Sequence, residues 1–196
     1  MTGNFQQKDS GFFTYPAGGW RMAMFKWPVQ LWRLGLAPII GHQLMLITHT
    51  GRKSGLSRLT MVEYYKMDRK KFIVSGFGSR AQWYRNIDAD PYITIQTADG
   101  VESVRAERVT DGETLLRLLD GVKRREGLLL NMYLEALDVS PDREDILIKK
   151  DRFYWLTFEP TDEPTPAPMP ADLVWIWPLV ATGLLAWLWR WKKRRI

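Results

Sequence analysis

The sequence predicts an α+β protein that is mainly β: a barrel of about six antiparallel strands with flanking helices, followed by a C-terminal membrane helix. Three observations lead to this prediction. Short runs rich in β-branched, aromatic and aliphatic residues recur between turn residues, which indicates strands. Few helical segments separate them, and such a set of strands in one ordinary domain favours a small closed or half-closed barrel. A long uncharged run then follows near the C-terminus.

The strands are predicted from residue patterning in chain order. The strand-like runs are 44–50, 57–66, 71–75, 92–97, 101–109 and 153–158. Asp99-Gly100, between the fourth and fifth runs, is the strongest short hairpin signal in the chain. Helical patterns lie at 81–89, at 111–125 and within 128–149.

The segments outside the barrel differ from it in composition. Residues 1–40 form an N-terminal segment, in which 20–36 has the pattern of a basic, aromatic amphipathic helix interrupted near Pro28. This helix either packs on the barrel or rests on a membrane. The barrel domain spans 41–160, and the proline-rich stretch 161–170 is predicted to be an extended linker between body and anchor.

The C-terminal region 171–196 is predicted to be a membrane anchor with a basic tail. Residues 173–189 carry no charge, and five cations follow at once. The run is apolar on all sides of a helix, and its tryptophans do not share one face, so we expect it to cross the bilayer rather than lie flat on it. The alternatives are a buried core helix and, if Pro178 breaks the helix, a segment that enters the bilayer and returns.

Charge and composition exclude several function classes. The formal charge of +6 falls to +1 for residues 1–189 once the tail is set aside, so the basic excess does not indicate nucleic-acid binding. The chain has no cysteine and only two histidines, which excludes disulfides, thiolate catalysis and a histidine-rich metal site. The expected partners are a lipid bilayer and a small molecule. The sequence leaves the oligomeric state open.

The expected localisation is the cell membrane, with a cytoplasmic body. The N-terminus lacks the pattern of a signal peptide, which favours a cytoplasmic body. The five cations after the anchor also favour the cytoplasmic side, and a single crossing cannot place both there. The sequence therefore leaves the orientation of the anchor open.

A glycine turn between the first two strands has the residues of an anion site. Gly51 and Gly55 permit close backbone approach, and four polar side chains surround them. The latter are Arg52, Lys53, Ser54 and Arg58. Such a turn would hold phosphate or carboxylate groups, although a solvated turn has the same composition.

A second candidate element begins where the third strand ends. Ser75-Gly76 leads into a glycine-rich turn, after which Ser79 and Gln82 have the spacing of a capping box that starts a helix. Trp83 and Asn86 lie three apart on that helix, where an indole and a carboxamide suit a flavin-like ring. A core tryptophan beside a capping asparagine is the alternative.

A third candidate lies on the second strand. Strand alternation turns either Glu63 or Tyr64 inward, and an inward Glu63 would need a partner. The two histidines do not support a Ser-His-Asp set, and His49 is interpreted as a strand-end residue. No catalytic residue is assigned.

Taken in order, these motifs resemble one known family. Residues 46–58, Gly76-Phe77-Gly78, 83–87 and Ala89-Asp90-Pro91 are similar to the deazaflavin-dependent nitroreductase and quinone reductase family, which uses reduced coenzyme F-420 on a split β-barrel. The resemblance covers about residues 41–158. Better-studied members have a longer loop with a lysine after the third strand, whereas this chain has the compact turn 76–80. Arg80 would replace that lysine as a contact to the coenzyme.

The resemblance implies roles for particular residues. Arg52, Lys53, Ser54 and Arg58 would hold the phosphate and glutamate tail of the coenzyme. The implied contacts to the deazaflavin and its surroundings are Met61, Val62, Ser75, Gly76, Trp83 and Asn86. Glu63 and Tyr133 are the candidate substrate-binding residues.

The resemblance also implies an activity. The chain is expected to transfer hydride from reduced coenzyme F-420 to a lipophilic acceptor such as a quinone, with nitroreductase-like activity as a related outcome. Two rivals stay open: a flavin- or haem-binding protein with the same barrel, and a non-catalytic membrane adaptor that binds anionic headgroups.

Overall fold

The structure is a computed structural model that describes residues 29–193. Its strands are β1 (Leu44–Thr50), β2 (Ser57–Met67), β3 (Lys70–Val74), β4 (Tyr92–Thr97), β5 (Gly100–Arg108) and β6 (Trp155–Pro160). Its helices are α1 (Ala37–Ile40), α2 (Gln82–Ala89), α3 (Gly112–Ala136), α4 (Arg143–Ile148) and α5 (Ile176–Lys193). Short 3-10 helices lie at Gly78–Arg80 and Lys150–Arg152.

The six strands form a closed antiparallel barrel in the order β1-β2-β3-β6-β5-β4. The ring closes between β1 and β4, where Ile47 pairs with Ile95. The predicted hairpin between β4 and β5 is present, with Ala98 and Asp99 as its turn residues; Gly100, the first residue of β5, has a φ of 122° that favours glycine. The α+β barrel class is confirmed.

The barrel interior is filled by alternate residues of the strands. Met45, Ile47, Tyr64, Ile73 and Ile95 belong to one buried apolar cluster. Helix α2 covers the barrel end at which β1 ends, because Tyr84 and Ile87 belong to the same cluster.

The long helix α3 covers the outer face of β3 and β6. Asp111 accepts a hydrogen bond from the Thr114 amide at 2.8 Å, which caps the first turn. The helix was predicted to end near residue 125, and its helical backbone is interrupted there, at Glu126 with φ −143° and ψ 51°; further helical residues then run to Ala136. Its apolar side packs on Phe72 and Trp155 in a second cluster.

A third cluster lies on the outer face of β1. Residues 29–33 are helical, and Trp32 packs there against Leu46, Met61 and Met169. For its described residues, the N-terminal helix packs on the barrel. The remainder of the predicted helix, 20–28, lies outside the described residues.

Residues 161–172, which we call the strap, run along the outer face of β4 rather than away from the barrel. Thr94 Oγ1 lies 2.8 Å from Thr165 Oγ1. The Gln96 side chain makes two hydrogen bonds to the backbone of Met169, donating to its carbonyl at 3.0 Å and accepting from its amide at 2.7 Å. Because Thr94 pairs with Thr48 and Gln96 with Leu46, the strap leads toward the barrel end at which β1 begins.

The prediction of a membrane-spanning helix is not supported. The region 173–189 lies mostly in α5, with Pro178 in the first turn, where an absent N–H breaks no helical hydrogen bond. Among residues 29–193, no helix combines the length and apolar character needed to cross a membrane. The division into four segments stays a prediction.

Candidate functional site

The glycine turn between β1 and β2 is a compact, hydrogen-bonded structure. The Gly51 amide donates to the Leu56 carbonyl at 2.8 Å, and the Gly55 amide donates to the Gly51 carbonyl at 2.8 Å. Gly55 has a φ of 66°, which favours glycine. A Cβ on Gly51 would lie 2.9 Å from Ser54 Oγ and 3.2 Å from the Leu56 carbonyl oxygen, so glycine fits this position without displacing the turn.

Arg52 fastens this turn to helix α2. Its Nη1 donates to the Asn86 side-chain oxygen at 2.7 Å, and its Nη2 donates to Gln82 Oε1 at 2.9 Å. The Arg52 amide also donates to the Asn86 oxygen, at 3.3 Å. All these acceptors are neutral, so the positive charge of Arg52 is not cancelled by them.

His49 and Asn86 continue the network into the barrel end. His49 Nδ1 lies 3.4 Å from Asn86 Nδ2, and His49 Nε2 lies 3.1 Å from Thr60 Oγ1. Burial lowers the pKa of His49, and the positive charge of Arg58 lowers it further, against an opposing backbone hydrogen bond at Thr50. A neutral imidazole therefore lies beneath the turn at neutral pH.

The turn presents positive charge to solvent. Within the part of the chain that the structure describes, no ion pair joins Arg52, Lys53 or Arg58 to a carboxylate. Lys53 and Arg58 are exposed, and Arg58 Nη2 lies 3.4 Å from Ser54 Oγ. Three uncompensated cations around two glycines fit an anionic ligand.

The turn after β3 uses its hydroxyl for its own structure. Ser75 is buried and donates from Oγ to the Gly78 carbonyl at 2.8 Å, while its amide donates to the Tyr154 carbonyl at 2.9 Å. The predicted capping box is wrong, because α2 begins after Ala81 without a side-chain cap. Gln82 instead bonds Arg52.

Part of the chain that includes the glycine turn and α2 matches a known protein family. Residues 35–126 match the model of a family described as F-420H(2)-dependent quinone reductase. These residues belong to that family. The match confirms the predicted family. It also confirms the predicted enzyme class, an F-420-dependent oxidoreductase, and the predicted cofactor, reduced coenzyme F-420.

Solved structures similar to this chain are distant from it in sequence. They include a haem storage protein from Vibrio cholerae, HutZ, with 11% identity and a TM-score of 0.44, covering 71% of this chain and 92% of that one. An F-420-H2 dependent reductase, FDR-A, has 24% identity and a TM-score of 0.35, covering 59% and 92%. Identities and TM-scores this low support no conclusion about the activity of this chain. No curated protein matches the chain.

Met61 and Val62 lie on opposite faces of β2. Met61 packs outside the barrel in the cluster of Trp32 and Leu46, and Val62 packs against the interior cluster. Because alternate strand residues point to opposite sides, one flat ring cannot contact both side chains on the same face of the strand.

Trp83 and Asn86 occupy different environments on α2. Trp83 is partly buried and packs against the interior cluster, with its ring 6.0 Å from that of Tyr84. Asn86 is buried and faces His49 and Arg52. Asn86 is therefore part of the turn's support, and Trp83 presents only part of its ring to a ligand.

The choice between Glu63 and Tyr64 is decided by the barrel. Tyr64 points inward and donates to the Gly41 carbonyl at 2.9 Å, so Glu63 points outward. Partial burial and the neighbouring carboxyl of Glu126 raise the pKa of Glu63. Burial, with these two carboxyls, raises the pKa of Tyr65 to about 12.

Tyr133 is a core residue of α3. Its ring lies in the second cluster, 6.1 Å from that of Phe153, and burial raises the pKa of its hydroxyl. A substrate would have to displace this packing to reach the hydroxyl, so the structure does not favour Tyr133 as a substrate contact.

Sequence reasoning missed three members of the network: His49, Thr60 and Gln82. His49 is on the inward side of β1 together with Met45 and Ile47, and this alternation was the available signal. Nothing in the sequence indicates that Gln82 reaches back to a turn thirty residues earlier.

Proposed function

We propose that this chain transfers hydride from reduced coenzyme F-420 to a lipophilic acceptor of the quinone class, while tethered to a membrane through its C-terminal region. The observation that supports coenzyme binding is the glycine turn, which presents cations that have no carboxylate partner among residues 29–193 and is fixed to α2 through Arg52. When bound, the reduced deazaflavin supplies the hydride, and the protein supplies orientation.

The side chains of the turn would have different roles in binding the coenzyme. Lys53 and Arg58 are exposed and would pair with the anionic tail, and the Ser54 hydroxyl would donate a further hydrogen bond. Arg52 is held by Asn86 and Gln82, so its main role is to set the position of the turn against the barrel end.

The contacts around the ring are more restricted than the resemblance implies. The hydroxyl of Ser75 is engaged by Gly78, which leaves the partly exposed Gly76 as the contact available at the end of β3. Trp83 offers part of an aromatic face beside it. Met61 would meet a ligand on the outer face of β2 and Val62 on the inner one.

A lipophilic acceptor is favoured by the apolar surface of α5. Quinones with long tails dissolve in the bilayer, and a protein held there meets them at a raised local concentration. Nitroaromatic compounds are a second acceptor class for the same donor. Glu63 and Tyr133 stay predictions as substrate contacts, although the burial of Tyr133 counts against it.

The test uses the purified full chain and reduced coenzyme F-420. We expect saturable binding of the coenzyme and its oxidation when menadione, a soluble quinone, is added, followed as loss of menadione and recovery of the oxidised deazaflavin absorbance. Binding without oxidation by menadione or by a nitroaromatic compound would contradict the activity. Tight haem or flavin binding with no coenzyme F-420 binding would contradict the cofactor.

A further inference from the structure

Helix α5 is exposed to solvent along almost its whole length. All residues from 177 to 192 are exposed, and they include four tryptophans and five leucine or valine residues. The exposed fraction of Trp187 is 60%. An apolar surface of this extent on a soluble domain marks a site of interaction with a protein or a membrane.

The apolar residues of α5 are not evenly distributed around the helix. At about 100° per residue, Ile176, Val180, Leu184, Trp187 and Trp191 fall within one stripe. The rings of Trp187 and Trp191 stack at 6.4 Å with an interplanar angle of 11°, which confirms that these two share a face. The prediction that the five tryptophans do not all share one face is unaffected, because Trp189 lies about 200° around the helix from Trp187.

A narrower side of α5, beside this stripe rather than opposite it, carries smaller and more polar residues. They are Thr182, Gly183, Ala186 and Arg190, with Leu179 as the large apolar member. Leu185 and Trp189 lie about 140° and 180° around the helix from the centre of the stripe, so the apolar surface extends beyond the stripe. The helix thus has a broad apolar side, which includes the stripe, and a narrow side of smaller residues that can face water when the helix lies at an interface.

The start of α5 is fixed to the segment before α1. Arg33 holds Asp172 with two hydrogen bonds, at 2.8 and 2.7 Å, and the Leu173 amide donates to the Arg33 carbonyl at 2.9 Å. Trp177 Nε1 donates to the Leu34 carbonyl at 2.8 Å. The strap and these contacts set the direction in which α5 leaves the barrel.

Charge identifies the kind of surface that α5 fits. No acidic residue occurs from 173 to 196, and five cations lie at its end: Arg190, Lys192, Lys193, Arg194 and Arg195. Clustered cations next to an apolar aromatic segment are attracted to anionic lipid headgroups. Tryptophan rings favour the same level of the bilayer.

We propose that the broad apolar side of α5 docks the protein on an anionic lipid bilayer, with the helix lying in the headgroup region and its cations on the headgroups. This deepens the proposed function, on which the link to a lipophilic acceptor rests. The strap leads to the barrel end where β1 begins, whereas the glycine turn follows the end of β1. Docking therefore leaves the turn in water.

A second copy of this chain fits the same surface less well. Two α5 helices packed side by side would offer each other no acidic residue, because the sole nearby carboxylate, Asp172, is held by Arg33 within the described residues. Parallel packing would also bring the two basic ends together.

The test is flotation of the full chain with vesicles of phosphatidylcholine alone or mixed with phosphatidylglycerol. We expect binding to the anionic vesicles and release by 0.5 M salt, with a loss of roughly fivefold per cation in the variant R190E/K192E. Trp187→Ala should weaken binding roughly tenfold. Leu184→Ala, within the stripe, should also weaken binding, and Leu179→Ala, an exposed leucine on the narrow side, is its matched control and should have a smaller effect.

Several results would overturn the proposal. They are equal binding to neutral and anionic vesicles, equal effects of Leu184→Ala and Leu179→Ala, and retention in the membrane after carbonate washing. A vesicle-free dimer that Trp187→Ala dissociates would identify a second copy as the occupant. The salt series on the unaltered protein keeps the test valid if a variant misfolds. Coenzyme binding is measured on the same samples, so a failure to bind the coenzyme is distinguished from a failure to bind the vesicles.

Discussion

Arg52 Nη1 donates to the side-chain oxygen of Asn86 at 2.7 Å, across the gap between the first turn of the barrel and the helix that closes its end. The same asparagine reaches His49 at 3.4 Å. One carboxamide therefore connects a solvent-facing cationic turn with a buried imidazole. The position of the turn depends on it.

Replacing Asn86 tests this connection. Asn86→Ala would leave the buried His49 ring without a partner on one side, so we expect a loss of about 1–3 kcal/mol in the free energy of unfolding. Coenzyme affinity should also fall, because the turn is no longer held. Denaturant unfolding and coenzyme titration measure the two effects. Gln82→Ala removes one exposed hydrogen bond to Arg52 and should cost less in both.

Reversing the charge of Lys53 tests the anion site without disturbing the fold. The side chain is exposed and has no ion-pair partner in the described residues, so Lys53→Glu should leave the unfolding midpoint nearly unchanged. A charged hydrogen bond to an anion is worth about 1.5–3 kcal/mol, so coenzyme affinity should fall at least tenfold. Lys123→Glu, an exposed change on α3 with the same effect on net charge, is the control. Equal losses in both variants would show that only net charge matters.

Gln96 tests whether the strap is part of the fold. Gln96→Ala removes two hydrogen bonds to the Met169 backbone, and Gln96 is only 5% exposed. We therefore expect a loss of about 1–3 kcal/mol in the free energy of unfolding. Hydrogen exchange of the Met169 amide should become faster, and protease cleavage within 161–172 should increase. Gln43→Ala, at the exposed turn residue just before β1, should change neither.

The buried imidazole of His49 makes stability depend on pH. Its pKa is lowered in the folded state, so the unfolded chain binds more protons once the pH falls below the ordinary value of about 6.5. Stability is then complete above that value and declines as the pH falls toward the folded-state pKa. Each unit of difference between the unfolded-state and folded-state pKa values lowers the free energy of unfolding by up to about 1.4 kcal/mol.

Unfolding measured from pH 7.5 to 5.5 checks this effect. His49→Gln should flatten the decline, whereas His42→Gln, at an exposed position, should preserve it. An unchanged slope in His49→Gln would place the dependence on other groups.

The sequence was informative where local pattern and tertiary structure agree. Strand alternation identified six strands, and the bounds of β1 and β4 matched the structure, because Ile47 and Ile95 point into a core that period-two patterning makes visible. The cations of the glycine turn were also visible, since residue type alone suggests an anion site. The family match then agreed with the ordered motifs.

The sequence was uninformative where distant segments meet. Thr94 and Gln96 are on the outward side of β4, yet they are buried because the strap crosses them. Tyr133 and Trp83 were assigned to ligands by resemblance, and packing against Phe153 and Tyr84 was not deducible from their spacing. The helix of Asn86 was predicted, but its bond to Arg52 was not.

The strand order has a consequence for how the chain reaches this structure. β6 lies between β3 and β5, and Val74 pairs with Trp155 across a long intervening stretch of chain. Contacts of such sequence separation form slowly, because loop closure comes before the contact is made. Until β6 is available, β3 and β5 present unpaired edges that invite association with other chains. Completion of the barrel therefore waits for its last strand, and a chain cut before residue 155 leaves an open, aggregation-prone sheet rather than a smaller barrel.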